Sequence, residues 1–257
     1  MYDGCTEWIM SDIEQAVLLA AGKGSRLAPL TDDRPKCLVE VAGVSIADNL
    51  CHCLDQVGVR ELIVVTGYCA DVLRRHLGDR RGNLSIRYID NPDYATTNNI
   101  YSLWLAADAI EGGFQLLESD IFCQPELLAS LLTPDLMAVS RYTESMSGTG
   151  VRLGPDGAVT EVVLKADRAV PDQLSSLYKT VNFYSFSGAT WSNAYRPQLA
   201  RWIAEGQTNV FYEAALAELI NRGELAFSAL DISGQKWAEI DDHDDLAAAE
   251  ALFATPA

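Results

Sequence analysis

Residues 19–24 read Leu-Ala-Ala-Gly-Lys-Gly, followed by Ser25, Arg26 and Leu27, with Arg34-Pro35-Lys36 beginning eight residues after Arg26. Glycines and cations packed this closely after an apolar run suit several kinds of chemistry. A dinucleotide loop would need Gly-x-Gly-x-x-Gly and an acidic residue about 20 positions on. Here Leu27 takes the place of the third glycine, and Val41–Gly43 hold no acid. A P-loop needs Gly-Lys-Ser/Thr after a four-residue gap, and Gly24-Ser25 does not supply it. Two readings remain at this point. One is a triphosphate held by backbone N–H groups of a loop whose glycines take positive φ, with Arg26 and Lys36 offsetting phosphate charge. The other is an ordinary strand–loop turn with solvated cations.

Other residues could share that chemistry. Asp120 ends a buried-looking strand, the place where α/β sheets put ligands, and Asp241 follows another strand far along the chain. Each taken alone also reads as a strand-end or helix-cap residue. Asp242 is an alternative to Asp241 in either role, and Glu118, two residues before Asp120, is a weaker metal candidate. Lys179 stands at a strand start with Asn182 three residues on. Asn98 and Asn99 offer amides to a ligand, although Thr97 or Asn98 can equally cap the helix that follows. Cys51-His52-Cys53 has metal-ligand composition, but at i and i+2 of a helix its thiols diverge, and buried reduced cysteines are expected.

These residues are embedded in a strongly acidic chain of 257 residues with formal charge −17, which repels nucleic acid and anionic membranes. An anionic ligand therefore needs a local positive pocket. Only five lysines occur, and Lys23 and Lys36 both fall in the opening loop. Apolar residues make up 49 % of the chain, enough for a sizeable core. Six cysteines without a CxxC pair, no apolar run of membrane length and no signal peptide give the expectation of a soluble, cytoplasmic protein.

The elements that must position the candidates alternate. Strands are predicted at 15–21, 61–66, 85–89, 114–117 and 136–140, with helices at 45–57, 70–77, 98–107 and 125–132 between them. That pattern predicts an α/β fold: a Rossmann-like mixed, mostly parallel sheet with helices on both faces. Beyond residue 148 the texture changes to a hairpin about Pro155-Asp156-Gly157, a polar loop over 167–176 and a strand over 179–186. Helices at 191–205 and 210–221, strands at 226–232 and 236–240 and a helix at 242–253 complete the chain. The expected organisation is an N-terminal extension at 1–12 and a single domain at 13–257, with a small antiparallel insertion near 145–180. The closing Ala-Thr-Pro-Ala has linker composition, compatible with fusion to a further catalytic domain.

The longer stretch LAAGKGSRLAPLTDDRPKCLVEVAG resembles the signature of nucleotidyltransferases that join a nucleoside triphosphate to a phosphorylated small molecule. NPDYATTNNIYSLWL and LESDI look like segments of the phosphocholine and phosphonate cytidylyltransferases, and YKTVNFYSF resembles the phosphonate branch. NVFYEAALAELI and WAEIDD extend the likeness to the final helix. The resemblance implies a mixed α/β fold and CTP wrapped by Leu19, Ala20, Ala21, Gly22, Gly24, Ser25 and Arg26, with Gly67 and Asn98 nearby. It implies Arg26 and Lys36 on the reacting phosphates, Mg²⁺ on Asp120 and Asp241, and Lys179 on the acceptor, with Asn99, Asn182, Tyr212 and Glu213 as further acceptor contacts. The acceptor implied is a small phosphonate, 2-hydroxyethyl- or 2-aminoethylphosphonate, or else the phosphate ester phosphocholine. A choline group would call for an aromatic cage with nearby carboxylates, to which Tyr142, Tyr178, Tyr184, Tyr212 and Glu213 could contribute; Tyr212 also fits a core stripe. A non-catalytic nucleotide-binding domain is the alternative of a different class.

Overall fold

The structure, a computed structural model, describes residues 13–143, 146–165 and 176–254. The expected extension at 1–12 and most of the loop at 167–176 lie outside the described residues. The chain opens with β1 (Ile13–Ala20), and the glycine loop leads to a hairpin of β2 (Glu40–Val41) and β3 (Val44–Ser45). Then come α1 (Ile46–Gln56), β4 (Glu61–Thr66), α2 (Ala70–Leu77), β5 (Arg80–Arg81), β6 (Leu84–Asp90) and α3 (Asn99–Ala106). They are followed by β7 (Gly113–Glu118), β8 (Ile121–Cys123), α4 (Pro125–Ser130) and β9 (Leu136–Arg141). The remainder holds β10 (Gly150–Leu153), β11 (Val159–Val163), β12 (Tyr178–Phe186), α5 (Gly188–Thr190), α6 (Arg196–Ala204) and α7 (Tyr212–Asn221). Last are β13 (Ser228–Asp231), β14 (Trp237–Glu239) and α8 (His243–Phe253).

Strand β1 is central because it has nothing polar to show on either face from Ala16 to Ala20. Ala16, Leu18 and Ala20 enter one core with residues of α1, α2 and α4, while Val17 and Leu19 enter the other with α3 and α7. A run buried on both faces is what a parallel sheet between two helical layers demands. Strand β1 pairs in parallel with β4 and β7, and β4 with β6, so the C-terminal ends of all four point the same way. Strand β12 then runs antiparallel to β7 and to β9. The expected mixed, mostly parallel Rossmann-like sheet is the one found. Strands β10 and β11 do not stand apart from it: β10 pairs with β12 and extends the sheet.

Three local features depart from the sequence-based expectation. The helix expected over 191–205 has a π-helical turn at Trp191–Tyr195 before α6. Pro197, just inside α6, has no N–H and its ring crowds the carbonyl four residues back, so the preceding turn widens. Strand β12 carries a bulge against β9 between Thr180 and Tyr184, with Asn182 at φ 58°; along its other edge its first half pairs with β10 and its second with β7. Strand β8, too short to be legible by periodicity, pairs antiparallel with β14. That pairing fixes β14 against the strand that follows Asp120, with Ile240 donating its N–H to the Asp120 carbonyl at 2.8 Å.

Helix α8 starts on a capping box. Asp242 accepts from the N–H groups of Asp244 and Asp245, and Asp245 accepts in return from the Asp242 N–H. Removing this cap in Asp242→Ala is expected to cost about 1 kcal/mol of stability. The check is a lower urea midpoint with an unchanged m-value.

Candidate active site

Two adjoining cavities open at the C-terminal ends of the parallel strands. The first, about 270 Å³, is walled by Leu19, Ala21, Gly22, Gly24, Arg26 and Lys36 on one side and by Asn91, Tyr94, Thr97 and Asn98 on another. The second, about 730 Å³, is walled by Lys179, Asn182, Glu213, Glu239, Phe211 and the Ser147-Gly148-Thr149 turn. Arg26, Asn99, Glu118, Asp120, Phe211 and Asp241 face both, so the two cavities share a charged partition.

The glycine loop is shaped by Lys36. Gly24 has φ 67°, and a Cβ there would lie 2.7 Å from the Lys36 Cβ. The loop can take that position only without a side chain. Thr31 ties the loop down by donating its hydroxyl to the Gly24 carbonyl at 2.9 Å. Lys36 then reaches the partition, where its Nζ donates to Asp120 Oδ2 at 2.9 Å and to Asp241 Oδ1 at 2.7 Å. Arg26 joins the same Asp241 oxygen at 2.8 Å. Burial alone would lower the Lys36 pKa, but the charges of Asp120 and Asp241 outweigh it and hold the ammonium above its ordinary value. Burial pushes the Asp241 carboxyl up, and Lys36 and Arg26 more than reverse this, so it stays below its usual value.

Asp120 and Asp241 are therefore brought together, as expected, while Asp242 is occupied by the α8 cap. The Asp120 Oδ1 is buried and finds no hydrogen-bond partner in the structure. An orphaned carboxylate oxygen beside a second carboxylate fits a hard divalent cation such as Mg²⁺. Among the described residues no group of three or more His, Cys, Asp or Glu forms a metal cage. The protein's share of such a shell would thus be these two aspartates, with the rest from ligand phosphates and water.

Lys179 is 2 % exposed. Its Nζ donates to Glu239 Oε2 at 2.9 Å and to the Thr180 carbonyl at 3.1 Å. Glu213, also buried, accepts from the Thr149 hydroxyl at 3.4 Å, and burial lifts its pKa to about 7 although Lys179 opposes this. Burial likewise pushes Glu118 well above the carboxylate range, with the Asp120 and Glu213 charges adding to it. Among the described residues, Glu118 and Glu213 form no ion pair with a cation within 4 Å.

Several expected contacts take other places. Ala20 faces the core, alternating with Leu19 and Ala21. Ser25 is exposed and lines neither cavity. Gly67 also lies outside both; its glycine identity reflects packing, since a Cβ would sit 2.7 Å from Tyr94 Cβ and 2.8 Å from the Ala21 carbonyl. Asn98 is the α3 cap and also lines the first cavity. Both ends of the Asn99 amide are taken, donating to Glu118 at 2.9 Å and accepting from the Tyr212 N–H at 2.9 Å. Tyr212 is core: it is fully buried edge-on against Tyr184 and lines neither cavity. Tyr142, Tyr178 and Tyr184 do not line the second cavity either, so no tyrosine cage forms among the described residues. Its aromatic wall residue is Phe211, 60 % exposed. Phe211 and Glu239 were not singled out from the sequence. Glu239 had a signal, being two residues before Asp241 and hence on the same side of an extended chain. Cys51 and Cys53 are buried free thiols in α1.

The chain belongs to the nucleotidyl transferase family. Residues 15–134 match the family described as Nucleotidyl transferase. The CMP-5'-(3-aminopropyl)phosphonate synthase of Streptomyces rubellomurinus is 33 % identical over 245 residues, 94 % of this chain but 39 % of that relative. The chain thus spans well under half of that protein's length. The UTP–glucose-1-phosphate uridylyltransferase of Haloferax volcanii is 30 % identical over 85 % of this chain and 82 % of its own length. The solved structure of CTP:phosphocholine cytidylyltransferase from Streptococcus pneumoniae shares the fold, with TM-score 0.75 at 22 % identity, covering 93 % of this chain and 99 % of that one.

Glu213 gives a pH prediction. Its folded pKa of about 7 lies above its ordinary 4.5, so the folded state holds the extra proton between those values. Its contribution to stability therefore declines as pH rises through that window. Glu213→Gln is expected to flatten the decline in the metal-free protein, read as unfolding midpoints across pH 4.5 to 7.

Proposed function

We propose that this chain is a Mg²⁺-dependent cytidylyltransferase that transfers CMP from CTP to a small phosphonate and releases pyrophosphate. The observation that carries the reading is the shared partition. Two aspartates and two cations stand between a cavity walled by a glycine loop and a cavity walled by a buried lysine. A donor triphosphate on one side and an anionic acceptor on the other would meet there.

In the reaction an acceptor oxygen attacks the α-phosphorus of CTP as the bond to the pyrophosphate bridging oxygen breaks. Positioning and charge stabilisation supply most of the rate of such a transfer. The loop at 22–26 would cradle the triphosphate with backbone N–H groups. Arg26 and Lys36 would offset charge on the phosphate oxygens, and Lys179 would hold the acceptor's phosphonate. Asp120 and Asp241 would hold Mg²⁺, which when bound adds positive charge at the phosphates. The assignment of cytosine as the base rests on likeness to cytidylyltransferases.

The second cavity favours a phosphonate over phosphocholine, since the tyrosines suited to a quaternary ammonium lie elsewhere. Glu118 and Glu213 line the second cavity without an ion pair among the described residues, an arrangement that would suit an amine on the acceptor.

Pyrophosphate release should require CTP, Mg²⁺ and 2-aminoethylphosphonate or 2-hydroxyethylphosphonate together, in a matrix that includes UTP, phosphocholine and glucose 1-phosphate. Failure of every phosphonate to support release would sink the proposal. Asp120→Asn should lower turnover by about 10²-fold or more, since it weakens charge stabilisation at the reacting centre. Near wild-type turnover would remove Asp120 from the metal site.

A further inference from the structure

Strand β14 places a second carboxylate beside the site. Glu239 pairs in register with Ile121 of β8 and precedes Asp241 by two residues. Asp241 grips Lys36 and Arg26, and Glu239 grips Lys179 at 2.9 Å. One short strand end thus holds all three cations that the proposed function assigns to phosphate and phosphonate groups.

Lys179 needs this partner. Its side chain is 2 % exposed, and a charge so buried is costly without a counter-ion. Its backbone is paired with Ser140 of β9 and Gly150 of β10, and a Cβ added at Gly148 would lie 3.6 Å from the Lys179 Cε and Nζ. An ammonium has three donors. Glu239 and the Thr180 carbonyl take two, leaving one N–H for the cavity that Lys179 lines. Glu239 itself is one-quarter exposed and lines the same cavity.

We propose that Glu239 is a positioning residue for the acceptor: it holds the Lys179 side chain aimed so that its remaining N–H meets the phosphonate. The inference rests on the proposed function for the identity of the acceptor, but it concerns binding and can be tested without turnover. Without Glu239 the ammonium would lose its counter-ion and its fixed direction. The loss would fall on the acceptor and be transmitted through Lys179 alone.

The test is a double-mutant cycle on binding. Calorimetry would measure the Kd of 2-aminoethylphosphonate, without CTP, for the wild type, Glu239→Gln, Lys179→Ala and the double variant. Thermal unfolding would confirm that each variant is folded. We expect Glu239→Gln to weaken binding by about three- to tenfold and Lys179→Ala by more. The double variant should bind no worse than Lys179→Ala, and the Kd for CTP should be unchanged in Glu239→Gln. Tighter phosphonate binding by Glu239→Gln would overturn the assignment, because Glu239 would then be competing with the acceptor. Additive losses, an equal loss of CTP affinity, or no binding of phosphonate by the wild type would also overturn it. Binding that follows the expected cycle, with no pyrophosphate released once CTP and Mg²⁺ are added, would support the role of Glu239 and reject cytidylyl transfer to 2-aminoethylphosphonate.

Discussion

The Lys36 ammonium, held between Asp120 and Asp241, is the interaction on which the rest of the site depends. Two carboxylates at close quarters repel, and part of Asp120 is buried, so a cation must lie between them. Lys36 supplies it, and the demand runs outward from there. Its stem must pass the glycine loop, which is why Gly24 carries no side chain. Asp241 must arrive from a distant part of the chain, which requires the β8–β14 pairing. Asp242 takes up the helix cap beside it, leaving the Asp241 carboxylate to face the cavity.

This arrangement places opposing charges in alternation rather than making a simple basic pocket. An acidic protein needs local positive charge to hold a triphosphate, yet each cation in the partition is already matched with a carboxylate. A ligand phosphate arriving there would exchange one set of charge-assisted hydrogen bonds for another. Carboxylates released in that exchange are suited to a divalent cation. Lys36, Arg26 and Asp241 could in this way keep charged partners both with and without ligand, while the Asp120 Oδ1 atom has none in the ligand-free site.

The sequence made the central layers legible because burial on both faces leaves a plain record. Val17, Leu18 and Leu19, or Ile63, Val64 and Val65, have no polar neighbour to confuse the reading. The motif frame pointed to the loop cations and the two aspartates, and the structure brings these side chains within ion-pair distance of one another. What escaped was set by contacts between distant segments. Strand β8, at Ile121–Cys123, is too short for periodicity and exists because β14 pairs with it. Glu239 gains its meaning only from Lys179, a residue on another strand. Tyr212 had the composition of a ligand cage, but the helical stripe it shares with Leu216 and Ile220 took it into the core. Asn182 gave no warning of its left-handed backbone, since nothing in its neighbours demands a bulge.

The pairing that joins β14 to β8 also sets when the site can exist during synthesis. Lys36 and Asp241 are 205 residues apart, so their ion pair closes almost the whole described chain. Closing so large a loop carries an entropic cost that earlier contacts must offset. On the ribosome, the glycine loop and Asp120 would emerge and fold against β1, β4 and β7 while Asp241 was still to be made. A nascent chain at that stage would lack Phe211 and Asp241, two walls of the first cavity. The order of translation itself would leave the partition unfinished until β14 and α8 have been made.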